Sequence, residues 1–259
     1  MSKRRILVTG AAGRIGRAFC AYVGDRYDLR LAVHHLSKLK DPGEHDVIEL
    51  DFKDAEACHK ACKGIDVIMH IGALASPKAG FYGGVLESNI IGTYNIFRAA
   101  KDQRCRRVVY ASSIRTVDGY PLDVQVRTVS SVRPMSLYGV SKCFGEALCH
   151  YFAYAEGLPC IAVRVGTWEG NWEWEGDRIN ARNMSTFVSE RDMCQLLLRC
   201  VEQPDIVFAI VHGVSDNRFK RLDITSTKEL LGYKPQDDAF KKFETGLRYI
   251  ERWEEESKP

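Results

Sequence analysis

The fold is decided near the start of the chain by Lys3-Arg-Arg-Ile-Leu-Val-Thr-Gly-Ala-Ala-Gly-Arg-Ile-Gly-Arg-Ala-Phe-Cys20. Apolar residues 6–8 run directly into glycines at 10, 13 and 16, and apolar residues then recur at helical spacing, which predicts a strand, a tight turn and a helix. A side chain at Gly10 or Gly13 would keep the backbone away from a pyrophosphate, and Gly16 lets the helix pack closely on the strand. The stretch predicts a dinucleotide site at the positive end of the first helix, with a tight turn that binds no nucleotide as the alternative.

The remaining apolar runs alternate with helical patterns, which is typical of a parallel sheet covered on both faces. We therefore predict a Rossmann-type, doubly wound α/β fold with ligands at the carboxyl ends of the strands. Residues 1–165 form its dinucleotide-binding and catalytic core, and residues 166–259 form smaller substrate-binding and closing segments of the same globular unit. Strands are predicted at 6–8, 29–33, 47–50, 66–72, 107–111, 159–165 and 206–212, and the later helices at 55–62, 84–104, 136–157, 189–201, 226–232 and 237–254.

Composition is that of an ordinary cytoplasmic protein. The 259 residues are 45% hydrophobic and 27% charged with a net charge of +3, which gives no reason to expect a nucleic-acid or membrane partner. Nine cysteines are present without a Cys-x-x-Cys pair, and most lie in apolar periodic segments, so we expect reduced, buried thiols. The fragment Cys58-His59-x-x-Cys62 has no second half at ligand spacing, and no metal site is predicted.

Short motifs are spread over nearly the whole chain, namely Thr9–Gly16, Asp51-Phe52, His70–Ala73, Asn89–Thr93, Ser112-Ser113, Tyr138-Gly-Val-Ser-Lys142 and Leu231–Pro235. Together they resemble the extended short-chain dehydrogenase/reductase family, also called the NAD-dependent epimerase/dehydratase family. Within the family the pattern is most similar to uronate dehydrogenases and related sugar 1-dehydrogenases, and the region 212–237 also resembles an archaeal NAD-dependent glucose-6-phosphate dehydrogenase. The resemblance implies an NAD(P)-dependent oxidoreductase that oxidises C1 of a sugar or sugar acid to a lactone, with a sugar phosphate as the alternative substrate.

Three residues carry the predicted chemistry. Tyr138 and Lys142 are four apart and share one helix face, and Ser113 follows a buried strand. A phenol with a pKa near ~10 is a poor base at neutral pH, and a neighbouring ammonium favours the phenolate. We assign Tyr138 as the base, Lys142 as the group that lowers its pKa and binds the nicotinamide ribose, and Ser113 as the group that orients the substrate.

The cofactor assignments follow from the glycine turn and from the resemblance, which puts Asp51 and Phe52 against the adenine and Ala73 along the nicotinamide ribose. Asn89 either lies near the catalytic lysine or braces its helix. After the second strand Val33 stands where an acidic residue would grip the ribose 2′-hydroxyl, and His34 and Lys38 follow, which favours NADP over NAD unless these are only solvated loop charges. The predicted cofactor residues are Gly10, Ala12, Gly13, Arg14, Ile15, Gly16, His34, Lys38, Asp51, Phe52, Ile71, Gly72, Ala73, Asn89, Tyr138 and Lys142.

The predicted substrate residues depart from the family pattern. Uronate dehydrogenases carry Asn-His where this chain has Ile114-Arg115, and Arg182 matches the arginine that they use for the sugar carboxylate. Two arginines suit an anionic substituent, although Arg115 could instead face solvent or an acid of the loop 168–178. The tryptophans of that loop either stack on a pyranose or pack the loop down. The full set is Ser76, Ser113, Ile114, Arg115, Thr167 and Arg182.

Two other function classes stay open at this point. An NDP-sugar epimerase or dehydratase would use the same tyrosine and lysine, but residues 166–259 are few for gripping a whole nucleotide-sugar. An NADP(H)-sensing binding protein would commonly lack one of those two residues, and both are present. The helices at 84–104 and 137–157 are apolar on more than one face, and the resemblance implies that they pair in a homodimer.

Overall fold

The computed structural model describes residues 3–39, 43–76, 78–168 and 179–243. The strands are β1 (Arg5–Thr9), β2 (Asp28–Val33), β3 (Asp46–Glu49), β4 (Val67–His70), β5 (Arg107–Ser113), β6 (Cys160–Val165), β7 (Thr167–Trp168), β8 (Phe187–Val188) and β9 (Phe208–Gly213). The α-helices are α1 (Arg14–Val23), α2 (Ala55–Ala61), α3 (Gly92–Asp102), α4 (Leu137–Tyr154), α5 (Ala181–Ser185), α6 (Glu190–Glu202), α7 (Thr225–Leu231) and α8 (Ala239–Lys242).

Seven strands form one parallel sheet in the order β3-β2-β1-β4-β5-β6-β9. This arrangement confirms the predicted doubly wound fold, and the predicted central strands fall on the observed ones. The chain reverses its direction of travel across the sheet between β1 and β4, and a ligand crevice forms at such a switch point beyond the carboxyl ends of the strands. The edge strand β9 comes from the segment beyond residue 166.

Both faces of the sheet are covered. Helices α1 and α6 pack on one face, where Phe19, Leu196 and Val163 belong to one buried cluster. Helices α2, α3 and α4 cover the other face, where Phe97 and Phe152 are fully buried. Because each strand is covered on both sides, its residues are apolar in unbroken runs rather than in alternation.

The predicted long helix 84–104 differs from the structure. It is a wide-turned helical segment, Phe81–Ile91, that continues into α3, and its backbone is non-helical at Gly83 and Gly84. Gly84 has a φ of +117°, which an L side chain rarely adopts, and an added Cβ would lie 2.8 Å from Leu74. The pair β7–β8 and the helix α5 are further elements that the periodicity did not predict, because two- to five-residue elements carry too little pattern.

Two predicted features lie wholly or partly outside the described residues. The acid- and tryptophan-rich loop 168–178 is described only at Trp168, which is buried in the core cluster beside α6. The predicted closing helix 237–254 is described as far as residue 243 and contains α8. Among the described helices, none combines the length and apolar character needed to cross a bilayer.

Candidate active site

The glycine turn joins β1 to α1 at the switch point of the sheet. Gly10 has a φ of +68°, and a Cβ there would lie 2.8 Å from the Cα of Gly72, so the turn and the end of β4 are in backbone contact. A Cβ at Gly16 would overlap the carbonyl of Gly10. Gly13 is the residue at the N-terminus of α1, and no side chain caps this end. The positive end of α1 therefore faces the crevice, and no side chain of the described residues caps it.

A buried pair of polar side chains holds the ends of β1 and β4 together. The hydroxyl of Thr9 lies 2.8 Å from Nδ1 of His70, and the backbone N–H of Gly72 donates to the same hydroxyl at 3.1 Å. Burial and the nearby Lys142 lower the pKa of His70 to about 3, so this imidazole is neutral. The pair fixes the backbone of Gly72, which lines the crevice.

Phe52 packs tightly between two glycines. A Cβ on Gly72 would lie 2.5 Å from its ring, and one on Gly92 would lie 2.5 Å from its Cβ. The Phe52 carbonyl also accepts a hydrogen bond from Asn95 at 2.8 Å. Asp51 is half-buried and accepts a backbone hydrogen bond from Lys53 at 3.0 Å. The structure brings both predicted adenine residues to the carboxyl end of β3, and their contact with a cofactor stays a prediction.

A cleft of about 350 Å³ opens between the glycine turn, the end of β5 and the start of α4. It joins the predicted phosphate turn to all three predicted catalytic residues. Of the predicted residues, the cleft is lined by Gly10, Gly13, Arg14, Ile15, Ile71, Gly72, Ala73, Ser113, Tyr138 and Lys142. Lining residues that are not among the predicted site residues are Ala75, Ala111, Ser112, Val165, Gly166 and Trp168.

Tyr138 lies in the first turn of α4, which Ser136 caps by accepting the backbone N–H of Gly139 at 3.1 Å. Burial raises the pKa of Tyr138, while a hydrogen bond with Ser113 and the charge of Arg115 lower it. Ser113 in turn accepts the backbone N–H of Arg115 at 3.2 Å. The structure thus brings the predicted base and its serine together, and it adds Arg115 as a cation acting on the phenol.

Lys142 is buried, and its ammonium donates to the carbonyl of Ala111 at 2.7 Å. The Nζ atom lies 5.6 Å from the centre of the Tyr138 ring and 4.8 Å from that of Tyr110. Burial lowers the pKa of Lys142 to about 7. The groups that lower the pKa of Tyr138 here are Ser113 and Arg115, so the assignment of that role to Lys142 stays a prediction.

A buried ion pair lies directly behind Ser113, the predicted catalytic serine. Arg164 on β6 donates two hydrogen bonds to Glu146 on α4, at 2.8 Å and 2.9 Å, and Ser112 donates to the same carboxylate at 2.6 Å. The arginine is 1% exposed and the glutamate 5%. The pair ties α4, which carries Tyr138 and Lys142, to the strands that carry Ser113. The sequence signal for it was an arginine inside an otherwise apolar strand.

Asn89 does not line the cleft. It is 1% exposed, its Oδ1 accepts the backbone N–H of Leu74 at 2.8 Å, and its Nδ2 donates to the Leu74 carbonyl and to the hydroxyl of Ser141, each at 3.1 Å. These contacts brace the segment 81–91 against α4, which is the second of the two roles predicted for it. A direct cofactor contact stays a prediction.

The remaining predicted substrate residues do not line the cleft. Ser76 follows Ala75, Ile114 packs in a small apolar cluster, and the hydroxyl of Thr167 lies 2.7 Å from that of Thr186. Arg115 is exposed and forms an ion pair with Asp118 at 3.1 Å. Arg182, on α5, lines a different cavity.

The loop that follows β2 contains the predicted cofactor residues His34 and Lys38, and both are exposed. A carboxylate that the sequence did not single out lies against this loop. Glu49, at the end of β3, accepts the backbone N–H of Leu36 at 3.2 Å and lies 3.8 Å from Nδ1 of His35. The sequence has no acid at the end of β2, and the parallel pairing of β2 with β3 brings one there from the neighbouring strand.

Comparison with known proteins agrees with this geometry. The profile of the NAD dependent epimerase/dehydratase family matches residues 6–198. The chain belongs to this family. The resemblance inferred from the motifs is thereby confirmed.

Individual relatives in the family cover most of the chain. A uronate dehydrogenase of Agrobacterium fabrum is 35% identical over 238 residues, which are 91% of this chain and 86% of that protein. An NAD-dependent glucose-6-phosphate dehydrogenase of Haloferax volcanii is 32% identical over 250 residues, which are 90% of this chain and 94% of that protein. The crystal structure of uronate dehydrogenase from Agrobacterium tumefaciens has a TM-score of 0.83 and 33% identity, covering 100% of this chain and 91% of its own.

The residues of the turn fit the dinucleotide that the family description implies. The backbones at Gly10 and Gly72 are in contact, so neither position has room for a side chain. Gly13 has no side chain that would cover the N-terminus of α1, where a pyrophosphate would bind. The same cleft runs on to Ser113, Tyr138 and Lys142, so a dinucleotide on the turn would have its reactive end beside them.

Proposed function

We propose that this protein is an NAD(P)-dependent sugar 1-dehydrogenase that oxidises the hemiacetal carbon of a cyclic sugar acid to a lactone. The observation that carries the proposal is the single cleft that joins the glycine turn to Ser113, Tyr138 and Lys142. The likeness to a uronate dehydrogenase and to a glucose-6-phosphate dehydrogenase over about nine-tenths of the chain supports the choice of a sugar C1 hydroxyl.

In the proposed reaction the C1 hydroxyl proton passes to the phenolate of Tyr138 while the C1–H bond gives up a hydride. NAD(P), when bound, supplies the hydride acceptor. The carbon–oxygen bond of the hydroxyl becomes the lactone carbonyl, so the proton and the two electrons are both accounted for. Ser113 hydrogen-bonds Tyr138 and would donate to the same substrate oxygen, which orients it toward the base.

The acidity of Tyr138 decides how well it acts as a base. Burial raises its pKa, and the opposing contributions come from Ser113 and Arg115. Burial lowers the pKa of Lys142 to about 7, and its ammonium donates to the carbonyl of Ala111. The hydroxyl groups of a bound ribose would accept further hydrogen bonds from this ammonium, which favours its charged form. A charged Lys142 then stabilises the phenolate across the 5.6 Å that separates it from the ring.

For the substrate we propose an anionic sugar held by Arg115. This guanidinium is exposed, acts on Tyr138, and has only Asp118 as an ion-pair partner in the described part of the chain. A uronate carboxylate is the first candidate, because a planar guanidinium binds carboxylates in bidentate fashion. A sugar phosphate is the second, and the Haloferax relative favours it.

The finer points of the assignment are also proposals. Exposed apolar residues on α3, on α4 and on the helical segment before α3 support a homodimer through these helices, and they include Ile91, Tyr94, Val140 and Tyr151. Nine cysteines without a disulfide support a reducing compartment such as the cytoplasm. The exposed side chains of His34 and Lys38 favour NADP, and the carboxylate of Glu49 opposes it.

The proposal is tested by following reduced nicotinamide absorbance with NAD or NADP and a panel of uronic acids, neutral aldoses and sugar phosphates. We expect reduction with an anionic sugar and a loss of at least about a thousandfold in kcat for Tyr138→Phe. Tyr154→Phe is the matched control, because Tyr154 is an exposed tyrosine of the same helix, and it should leave the rate unchanged.

Two results would contradict the dehydrogenase. One is a cofactor that binds, measured by fluorescence, without reduction by any sugar of the panel. The other is equal activity of the Tyr138→Phe and Tyr154→Phe variants. Nucleotide-sugar epimerisation is then measured with the same variants, since an epimerase would use the same tyrosine, and binding without any turnover would indicate an NADP(H) sensor.

A further inference from the structure

Tyr110 is a buried titratable residue that the proposed mechanism does not use. It lies on β5 directly before Ala111 and is 1% exposed. Its hydroxyl has no hydrogen-bond partner among the described residues. An unpaired hydroxyl in a protein interior is unfavourable, so the contribution of this side chain comes from its aromatic ring.

The ring of Tyr110 is held in one orientation by its neighbours. A Cβ on Gly145 would lie 2.2 Å from Cζ of the ring, so the absence of a side chain there lets α4 pack directly against it. The ring centres of His70 and Phe97 each lie 5.9 Å away, the first stacked and the second edge to face. The ring is therefore fixed between the sheet and α4 before any ligand binds.

The ammonium of Lys142 lies over this ring. Its Nζ atom is 4.8 Å from the ring centre of Tyr110, which is within the range of about 6 Å for a cation–π contact. Lys142 is 2% exposed, and in the described part of the chain its ammonium makes one hydrogen bond, to the carbonyl of Ala111 at 2.7 Å. A buried ammonium needs further compensation, and the ring is placed to provide it.

The carboxylate nearest in sequence to Lys142 is shared with another cation. Glu146 lies one helical turn further along α4 and raises the pKa of Lys142, but burial lowers that pKa by more. The same carboxylate accepts two hydrogen bonds from Arg164 and one from Ser112. The positive charge of Arg164 offsets the attraction of Glu146 for a second cation, so Lys142 has no counter-ion of its own among the described residues.

The remaining titratable neighbours of Lys142 in the described ranges are neutral at pH 7. Burial raises the pKa of Cys149 and of Tyr110 well above their ordinary values, and the pKa of His70 is lowered to about 3. The ring centre of Tyr138 lies 5.6 Å from Nζ, and burial also raises the pKa of this phenol. Of the two rings that the ammonium contacts, that of Tyr110 is therefore the nearer.

We propose that Tyr110 is a positioning residue, whose ring holds the ammonium of Lys142 beside Tyr138 through a cation–π contact. The ring favours the charged lysine over the neutral amine, because only the charge is attracted to the negative face of the ring. The consequence for catalysis rests on the dehydrogenase function proposed above, in which the charged Lys142 binds the nicotinamide ribose and stabilises the phenolate. The contact itself does not depend on the substrate.

The contact is tested by titrating Lys142 in the protein without cofactor or sugar, from the NMR signals of isotope-labelled lysine, and Lys142→Met identifies its resonance. Fluorine atoms withdraw charge from the face of a ring and nearly keep its shape, so position 110 is occupied by phenylalanine and then by monofluorinated and trifluorinated phenylalanine. Tyr110→Phe should keep the midpoint of the titration, because it keeps the ring. Trifluorination should lower the midpoint by about one pH unit.

The same series gives a readout in cofactor affinity that a loss of structure would not reproduce. A midpoint lowered by about one pH unit reduces the charged fraction of Lys142 at the original midpoint from one half to about one tenth. The Kd for NADH, measured by fluorescence, should rise about fivefold at that pH and stay unchanged about two pH units lower, where the lysine is charged in both proteins. A shifted titration with an unchanged Kd would confirm the contact and contradict the proposed cofactor role of Lys142.

Phe97 is the matched control, because it is fully buried in the same apolar cluster and its ring contacts that of Tyr110. No cation of the described residues lies over the Phe97 ring. Trifluorination at position 97 should leave the midpoint of Lys142 unchanged. The proposal is overturned if trifluorination at position 110 leaves the titration as it is in Tyr110→Phe, or if trifluorination at position 97 lowers the midpoint by the same amount.

Discussion

At the scale of single residues, the candidate site depends on charges that the chain brings together from distant positions. The charge of Arg115, which follows β5, lowers the pKa of Tyr138. The carboxylate of Glu49, at the end of β3, accepts a hydrogen bond from the loop after β2. Neither partner is adjacent in sequence to the group that it affects. Each can be altered alone, because both side chains are exposed.

Arg115→Gln removes a cation that lowers the pKa of Tyr138. The phenol then ionises at higher pH, so the rise of kcat/KM with pH should move in the alkaline direction. If Arg115 also holds the substrate anion, KM for that sugar rises about tenfold or more, which corresponds to a lost charge-assisted hydrogen bond. Arg133→Gln, in the same loop, is the control, and an unshifted profile for Arg115→Gln would refute this role.

Glu49→Gln is expected to change the cofactor preference. A carboxylate beside the loop 34–38 repels a 2′-phosphate, so its removal should raise the ratio of kcat/KM for NADP to that for NAD by about tenfold. Lys38→Gln should lower the same ratio. The exposed Glu44→Gln serves as the control in the preceding loop. A ratio that is equal in the Glu49 and Glu44 variants would remove Glu49 from cofactor selection.

At the scale of secondary-structure elements, α4 links the predicted catalytic residues to the sheet and to the exposed surface. One side of it carries the buried Lys142 and Glu146. The other side carries the exposed Val140, Ala147 and Tyr151, at spacings that form one stripe. The sequence predicted the helix and the catalytic pair, but the ion pair behind them depends on how α4 packs on β6.

Glu146→Gln should lower the free energy of unfolding by about 3–5 kcal/mol, because it leaves the buried Arg164 without its counter-charge. Urea denaturation measures the loss. Glu56→Gln breaks the exposed pair of α2 with Lys60 and should have no measurable effect. Similar stabilities for the two variants would show that the buried pair does not hold α4 in place.

Ala147→Arg should convert the proposed dimer into a monomer that keeps its fold. Ala147 is exposed in the middle of the apolar stripe of α4, and an arginine there would place a charge in the helix-pairing interface. Ala21→Arg, at an exposed position of α1 on the other face of the sheet, is the matched control. Light scattering after gel filtration should give twice the chain mass for the wild type and the control. A monomeric wild type would rule the interface out.

At the scale of the whole molecule, burial of the thiols makes stability depend on pH. Burial raises the pKa of eight of the nine cysteines, for example from 9.0 to about 12 at Cys20, Cys58 and Cys194. A group with a raised folded-state pKa contributes stability below its unfolded pKa and loses that contribution as the pH rises to the folded value. Burial instead lowers the pKa of Lys142 from 10.5 to about 7, so this residue makes the free energy of unfolding rise with pH over that range, but it is a single group.

The free energy of unfolding should therefore fall between about pH 9 and 12 under reducing conditions. Each thiol that ionises only in the unfolded chain contributes about 1.4 kcal/mol per pH unit. Cys200→Ala should make the free energy of unfolding fall less steeply with pH, by the contribution of one thiol, because the pKa of Cys200 is raised to about 12. A free energy that is constant over this range would mean that the thiols are accessible in the folded protein.

The sequence by itself determined the fold and predicted which residues carry the chemistry. Glycines 10, 13 and 16, the apolar strands and the Tyr138–Lys142 spacing are local patterns, and backbone geometry converts each into one structure. Only the tertiary structure decided the kink at Gly84, the Glu146–Arg164 pair and the position of Glu49. These features arise where segments far apart in sequence pack together, and burial and electrostatic energies depend on distances that the order of residues does not contain.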